Sequence, residues 1–159
     1  MNFAVFLSLA FVIAGKIVLI TQLYNEGNKQ RLREIQNAFN LNHNNVYIDE
    51  IHLLQYDQVP FAHNNSKVHV KQSTNTRLSF NEALSYANRN LLGDIVIIAN
   101  NDISFDDTLK NLQDPLVKKM ITTEYHCFCL SRHELHPNNQ SIGTQCGLNY
   151  MGSHDAFIL

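Results

Sequence analysis

The sequence predicts an α/β fold with a mostly parallel central sheet. Two short apolar runs, 17–21 and 95–99, are rich in β-branched residues and lack polar–apolar alternation, which is typical of strands buried on both faces. Helix signals lie between them, the clearest being S-F-N-E at 79–82, a capping-box spacing that opens an apolar-faced segment ending at Gly93. Strands that alternate with helices predict βαβ units. We therefore expect 17–21 and 95–99 to be adjacent or nearly adjacent inner strands.

The remaining elements of the first half follow from periodicity. Apolar residues recur at helical spacing within 32–39, so a helix follows the first strand. A second strand is predicted over 46–54 after a turn-rich loop, and 67–71 alternates like a short or edge strand.

The second half carries weaker signals. An acidic capping pattern at 104–107 predicts a short helix that Pro115 limits, and 120–123 and 125–130 are predicted as strands. Residues 131–144 are predicted as a surface loop. The chain ends on the apolar triplet 157–159, where another element should begin, so we expect a domain truncated at its C-terminus.

Composition fits one globular domain over 16–159. The chain has 159 residues, of which 45% are hydrophobic and 16% charged, and this is enough to bury a sizeable core. A formal net charge of −2 leaves no basic footprint, so no nucleic-acid partner is expected.

Residues 1–15 form a separate apolar segment. Its length suits the hydrophobic region of a signal peptide or signal-anchor, although a basic region before it is missing. We expect it to direct the chain to the secretory pathway, in the ER or Golgi lumen or outside the cell, or to attach it to a membrane. The alternative is a buried N-terminal element of a cytoplasmic protein.

The three cysteines are too few for a disulfide framework. Cys127 and Cys129 lie near His126, His133 and Cys146, a set that could hold zinc. Their spacing departs from the usual zinc knuckle, and 127–129 is better interpreted as a strand with small buried side chains.

Three polar residues follow the 95–99 strand directly: Asn100, Asn101 and Asp102. Open α/β sheets bind ligands at the carboxyl ends of their strands, and hard divalent cations prefer oxygen ligands. The pattern is therefore compatible with a metal and phosphate site. It is equally typical of a turn that leads into the next capped helix.

The order of these segments resembles the GT-A class of nucleotide-sugar glycosyltransferases. Residues 17–25, 78–88 and 93–103 follow the order found in that family, whose D-x-D motif would here be the N-x-D of residues 100–102. L-S-R-H-E at 130–134 and G-S-H-D-A-F-I at 152–158 resemble L-T-R-x-E and G-S-x-D-x-W-I segments of a poorly characterised glycosyltransferase-like group. The resemblance covers 16–159 and implies a Rossmann-related, three-layer sandwich.

The resemblance also implies roles for individual residues. Asp102, with Asn100 as a weaker partner, would bind Mn²⁺ or Mg²⁺ and the donor diphosphate, and Asp155 would be the general base that deprotonates the acceptor. The alternative for Asp155 is a turn or helix-cap aspartate. The expected contacts to the nucleotide-sugar come from four further residues: Asn25, Glu26, Arg77 and Asn101.

The function implied is metal-assisted transfer of a sugar from a nucleotide-sugar donor to a hydroxyl group of a glycan or protein acceptor. The alternative is a non-catalytic remnant of the fold that binds nucleotides or glycans. Position 100 favours the alternative, because an amide there removes one of the two expected carboxylates.

Overall fold

A computed structural model describes residues 15–62, 65–130, 133–135, 141–143 and 156–159. Residues 1–14 of the predicted signal segment and Asp155 lie outside these residues. No helix in the described part of the chain is long and apolar enough to cross a bilayer. The described elements are, in order, β1 (Ile17–Thr21), α1 (Lys29–Asn44), β2 (Glu50–Gln55), β3 (Val68–Gln72), α2 (Phe80–Asn90), β4 (Ile95–Ala99), a 3₁₀ helix (Asp107–Gln113), α3 (Pro115–Thr122), β5 (Phe128–Leu130), β6 (His133–Leu135), β7 (Ser141–Gly143) and β8 (Ala156–Ile158).

Six strands form one sheet in the order β3-β2-β1-β4-β8-β5. The pairs β3–β2, β2–β1 and β1–β4 are parallel, whereas β8 is antiparallel to both of its neighbours. The prediction of a mostly parallel sheet is therefore wrong, because the sheet is mixed. The difference arises because β8, near the end of the given sequence, lies between β4 and β5 and runs antiparallel to both.

The two predicted inner strands are neighbours at the centre of the sheet. β1 pairs in parallel with β4, with Leu19 opposite Ile97, and all five residues of each strand are buried. β3 lies at one edge of the sheet, as its alternating pattern predicted. The apolar runs without alternation thus identified strands that are covered on both faces.

Helices cover both faces of the sheet. On one face Leu19 and Ile97 pack with buried residues of α1, the 3₁₀ helix and α3. On the other face Val18 and Ile98 pack with Ala83 of α2. The alternate side chains of β1 and β4 therefore enter two separate cores, and the domain has three layers.

The two long helices begin at side-chain caps. The Asn28 side chain accepts hydrogen bonds from the backbone N–H groups of Gln30 and Arg31 at the start of α1, and Ser79 accepts from the N–H of Glu82 at the start of α2. Gly93 follows α2 with φ of 89°, a left-handed conformation that glycine adopts without a Cβ penalty. The predicted cap of α2 is confirmed, but the helix ends at Asn90, with Leu91 as its C-cap, ahead of the predicted stop at Gly93.

The segment after β4 differs from the prediction. Asp106, rather than Ser104, caps the 3₁₀ helix, which ends at Gln113 before Pro115 as predicted, and Pro115 also begins α3. Proline suits the first helical position because its missing N–H has no partner there in any case, and Asp114 caps the new helix. Residues 120–123, predicted as a strand, are therefore the end of α3 and its cap.

Three smaller findings concern the C-terminal third. Within the predicted surface loop, β6 and β7 pair as an antiparallel two-stranded ribbon. Cys127 and Cys129 are exposed rather than buried. The terminal apolar triplet contributes Phe157 and Ile158 to β8, which lies inside the sheet.

Candidate functional site

A crevice opens where the carboxyl ends of β1 and β4 meet. In the order β3-β2-β1-β4 the strand numbering reverses between these two strands, and open α/β sheets bind ligands at such a switch point. The crevice has a volume of about 590 Å³, within the range of small-molecule sites. Its described lining residues are Thr21, Gln22, Tyr24, Arg31, Thr76, Arg77, Leu78, Ser79, Phe80, Ile98, Ala99, Asn100, Asn101 and Asp102.

Residues 100–102 form a turn at the end of β4. The Ile103 N–H donates a hydrogen bond to the Asn100 carbonyl oxygen at 3.3 Å, so the turn interpretation of this segment is confirmed. The same turn places Asn100, Asn101 and Asp102 on the wall of the crevice. A turn and a ligand site are therefore compatible here.

Two buried amides fix the chain that follows the turn. Asn42 donates to the Ile103 carbonyl oxygen at 2.8 Å and accepts from the Phe105 N–H at 2.9 Å. Asn45 donates to the Phe105 carbonyl oxygen at 2.9 Å. Because both amides belong to the end of α1, they hold the segment after Asp102 against that helix.

Asp102 forms an ion pair with Arg31, a residue that sequence reasoning missed. An Oδ2–Nη2 distance of 2.9 Å joins them, and the Asp102 side chain is 14% exposed. Arg31 also contacts Glu34 at 3.2 Å, one turn along α1. Hydrogen bonds to Asp102 and Glu34 raise the pKa of Arg31, so the guanidinium stays charged.

Another part of the lining is the segment that joins β3 to α2, which carries Arg77. Gln22, at the end of β1, accepts a hydrogen bond from the Leu78 N–H at 2.7 Å and so ties this segment to the sheet. Arg77 lines the crevice and forms no ion pair with any described residue. Among the described lining residues, two arginines therefore accompany one carboxylate, and the crevice favours an anion.

Glu82 stabilises the base of the Arg77 segment. Its carboxylate accepts from the Ser73 hydroxyl at 2.9 Å, from the Thr74 N–H at 3.2 Å and from the Asn75 side chain at 2.8 Å. Burial raises the pKa of Glu82, but these hydrogen bonds outweigh burial and the pKa is lowered overall. The ionised form therefore stabilises the fold at neutral pH.

This network predicts a pH-dependent effect of Glu82→Gln. Because the folded pKa is below the unfolded value, the carboxylate contributes stability above the unfolded pKa and loses it as pH falls through the folded pKa. We expect the variant to be less stable by about 1 kcal/mol near neutral pH and the difference to shrink below about pH 4. Urea unfolding across this range measures it, with Asp57→Asn, an exposed carboxylate on another loop, as the control. A difference that stays constant with pH would contradict the role of ionisation.

The crevice also offers neutral contacts. The Thr21 hydroxyl is buried and has no hydrogen-bond partner within the described residues. Tyr24 and Phe80 line the crevice with 40% and 55% of their surface exposed. Because the Thr21 hydroxyl is buried, the contacts that a planar base or a sugar could use are these two partly exposed aromatic side chains.

The predicted site residues separate into three groups. Asn100, Asn101, Asp102 and Arg77 line one crevice. Asn25 and Glu26 lie outside its described lining. Asn25 instead donates to the Gln58 carbonyl oxygen at 3.4 Å, and Glu26 accepts from the Asn28 N–H. Asp155 lies outside the described residues, so its role stays a prediction.

A second polar cluster lies on β2 and β3, away from the crevice lining. Glu50, His52 and His69 each offer one ligand atom, and these atoms lie within 4.8 Å of one another. Hydrogen bonds from Lys16 and His52 lower the pKa of Glu50, and burial lowers that of His52. These three residues are the one group of three or more ionisable side chains in the described chain that could hold a metal ion. Sequence reasoning did not identify it.

Comparison with known proteins finds no family model that matches the sequence and no matching curated protein. The geometry of the crevice therefore carries the functional inference.

Proposed function

We propose that the chain binds a nucleotide-sugar in the crevice between β1 and β4 and transfers the sugar to a hydroxyl group of a glycan or protein. The observation that carries the proposal is that Asp102 and Arg77 line one crevice at the switch point of the sheet. The resemblance of 93–103 to the corresponding GT-A segment gives the class of ligand.

The charges of the crevice suit a diphosphate. Arg77 has a guanidinium that can form two parallel hydrogen bonds to phosphate oxygens, and Arg31 supplies a second positive charge beside Asp102. In sugar transfer the nucleoside diphosphate leaves with negative charge, so cations that contact it stabilise the transition state. The two arginines would act on the leaving group rather than on the acceptor.

Asp102 also fits a divalent cation that arrives with the nucleotide. Mg²⁺ and similar ions are commonly held by one or two carboxylates together with substrate phosphates, and Asp102 is the sole carboxylate among the described lining residues. When bound, the cation would offset negative charge on the diphosphate. Asn100 and Asn101 offer neutral oxygens nearby. Arg31 would have to share or release the Asp102 carboxylate.

The nucleoside itself has two candidate contacts. Tyr24 and Phe80 provide exposed aromatic faces at the crevice, and Phe80 is held edge-on by Phe157 with ring centroids 4.8 Å apart. Stacking on such faces accepts any base. The crevice therefore contains groups for the phosphate and the base within one volume.

The test is binding and transfer with the full chain and an Arg77→Ala variant. We expect UDP-sugars or GDP-sugars to bind with Mn²⁺ and Arg77→Ala to weaken binding about 10- to 100-fold, the effect of losing hydrogen bonds to a charged group. Arg89→Ala is the matched control, because Arg89 is exposed on α2 and contacts its own helix. Calorimetry gives affinity, and release of nucleoside diphosphate gives transfer or hydrolysis.

The outcomes separate the two candidate functions. Binding with sugar transfer supports the enzyme. Binding without transfer or hydrolysis supports the non-catalytic module, which the amide at position 100 favours. Equal affinity of Arg77→Ala and the parent for the nucleotide-sugar would contradict the proposal that the nucleotide binds in the crevice.

A further inference from the structure

Two histidines and a glutamate share one face of the sheet at the β2–β3 pair. Glu50 and His52 are two residues apart on β2, so their side chains project to the same face. His69 of β3 is directly opposite His52 in the parallel register, and their rings lie 4.9 Å apart. Strand pairing thus brings His69 next to His52, which lies 17 positions earlier in the chain, and next to Glu50.

The distances within the cluster are close to those of a metal site. The Glu50 Oε2 atom lies 2.9 Å from His52 Nε2 and 3.7 Å from His69 Nε2. Ligands about 2.1 Å from a tetrahedral Zn²⁺ are roughly 3.4 Å from one another. Both measured separations differ from this edge by about half an ångström or less, and the third pair of ligand atoms lies within 4.8 Å, so side-chain rotations would admit an ion.

His69 provides the observation that points to a missing partner. Its Nε2 atom is buried and forms no hydrogen bond within the described residues. The nearest carboxylate oxygen in the cluster, Glu50 Oε2 at 3.7 Å, is too distant for one. A buried polar atom without a partner is uncommon in proteins, and an ion between the two strands would satisfy it.

The residues around the cluster orient its ligands. The Tyr86 hydroxyl lies 2.8 Å from His52 Nδ1 and leaves Nε2 directed toward Glu50. For Nε2 to bind an ion it must give up its hydrogen bond with Glu50, and Nδ1 must carry the proton and donate to the Tyr86 oxygen, an arrangement that orients metal-binding histidines. Lys16 pairs with Glu50 Oε1 at 2.5 Å, which leaves Oε2 for an ion, and its 57% exposed side chain can turn to solvent.

We propose that Glu50, His52 and His69 bind a divalent transition-metal ion of the zinc class, with water as the fourth ligand, and that this ion fastens the edge strand β3 to β2. Two imidazoles and one carboxylate suit Zn²⁺ better than Mg²⁺ or Mn²⁺, which prefer oxygen. The site is separate from the crevice, since none of its three residues belongs to the described lining. It does not depend on the proposed transferase function.

The experiment titrates the full chain with ZnCl₂ after removal of metal with EDTA. Cys127, Cys129 and Cys146 are first replaced by serine, because exposed thiols at Cys127 and Cys129 would also bind zinc. We expect one Zn²⁺ per chain by calorimetry and a higher midpoint of thermal unfolding with zinc than without it. Co²⁺ should give the visible absorption of a tetrahedral nitrogen–oxygen site.

His69→Gln is the decisive variant, because the side chain is partly exposed on an edge strand and the variant should fold. We expect it to weaken Zn²⁺ binding at least about 10-fold, since loss of even an indirect partner of a ligand has an effect of this size. His126→Gln, an exposed histidine outside the cluster, should bind like the parent. Glu50→Gln gives an independent second test.

Two results would overturn the proposal. One is a parent chain that binds no Zn²⁺, and the other is a His69→Gln variant that binds with the parent affinity. Asp102→Asn should leave Zn²⁺ binding unchanged, so a failure of this site and a failure of the crevice remain distinguishable.

Discussion

Asp102→Asn is expected to remove the Mn²⁺-dependent part of nucleotide binding while leaving or strengthening the metal-free part. Asp102 supplies the sole carboxylate among the described crevice residues, and the neutral amide of asparagine would bind a hard cation less strongly. The same substitution releases Arg31 from its 2.9 Å ion pair with Asp102 and leaves Glu34 as its remaining acidic partner, so more of its charge becomes available to a diphosphate. The substitution should therefore weaken nucleotide binding in the presence of Mn²⁺ and preserve or strengthen it in the absence of Mn²⁺. A role of Asp102 in the turn alone would not predict these opposite changes.

Calorimetry with UDP-sugars or GDP-sugars, with and without Mn²⁺, measures both terms. We expect Mn²⁺ to strengthen binding to the parent at least about 10-fold and binding to Asp102→Asn less than about 2-fold. Asn100→Asp should increase the gain in nucleotide affinity that Mn²⁺ gives, because it adds a second carboxylate. Asp57→Asn controls for loss of a surface charge. The same Mn²⁺ response in the parent and both crevice variants, at matched folding, would mean that 100–102 is a turn without a metal.

Ile97→Ala should produce the largest loss of stability of any substitution considered for this chain. Ile97 is fully buried in β4, opposite Leu19 on one side and Ile158 on the other. Removing its side chain leaves a cavity between helices and sheet at a cost of about 2–5 kcal/mol. Since domains of this size are stable by about 5–15 kcal/mol, we expect a marginal fold.

Urea unfolding of the parent and variant gives this difference. Val46→Ala is the matched control, because Val46 is 80% exposed and should change stability by less than about 0.5 kcal/mol. Ile97→Val should fall between them at about 1 kcal/mol. A loss below about 1 kcal/mol for Ile97→Ala would contradict a central, close-packed β4. Nucleotide binding should weaken with stability, since β4 carries the turn with Asp102.

Local patterns in the sequence predicted the centre of this fold well. The runs that became β1 and β4 lack alternation because both faces of each strand are covered, and α2 follows from the cap at Ser79. The start of α3 also has a local signal, since Asp114 and Pro115 form a cap followed by proline at the first helical position. Proline is equally typical of the residues just beyond a helix end, so the pattern alone does not show that a new helix begins here.

Other features depend on contacts between distant parts of the chain. The Arg31–Asp102 pair joins residues 71 positions apart, and helical periodicity gives no reason to select Arg31 over Arg33. The His52–His69 pair depends on the register of β2 and β3, because a shift of one residue would turn His69 to the other face. Neither pairing could be deduced from residue type and spacing.

The sequence alone determined the strands of the sheet centre, the two capped helices and the polar turn at residues 100–102, because these follow from backbone preference and from burial of neighbouring side chains. The tertiary structure decided that β8 enters the sheet antiparallel, that Arg31 reaches Asp102 and that Glu50, His52 and His69 converge. Periodicity reports which side of an element is buried, but it does not report what covers that side. The partners of each charged group are set by strand order and register, which only the folded chain defines.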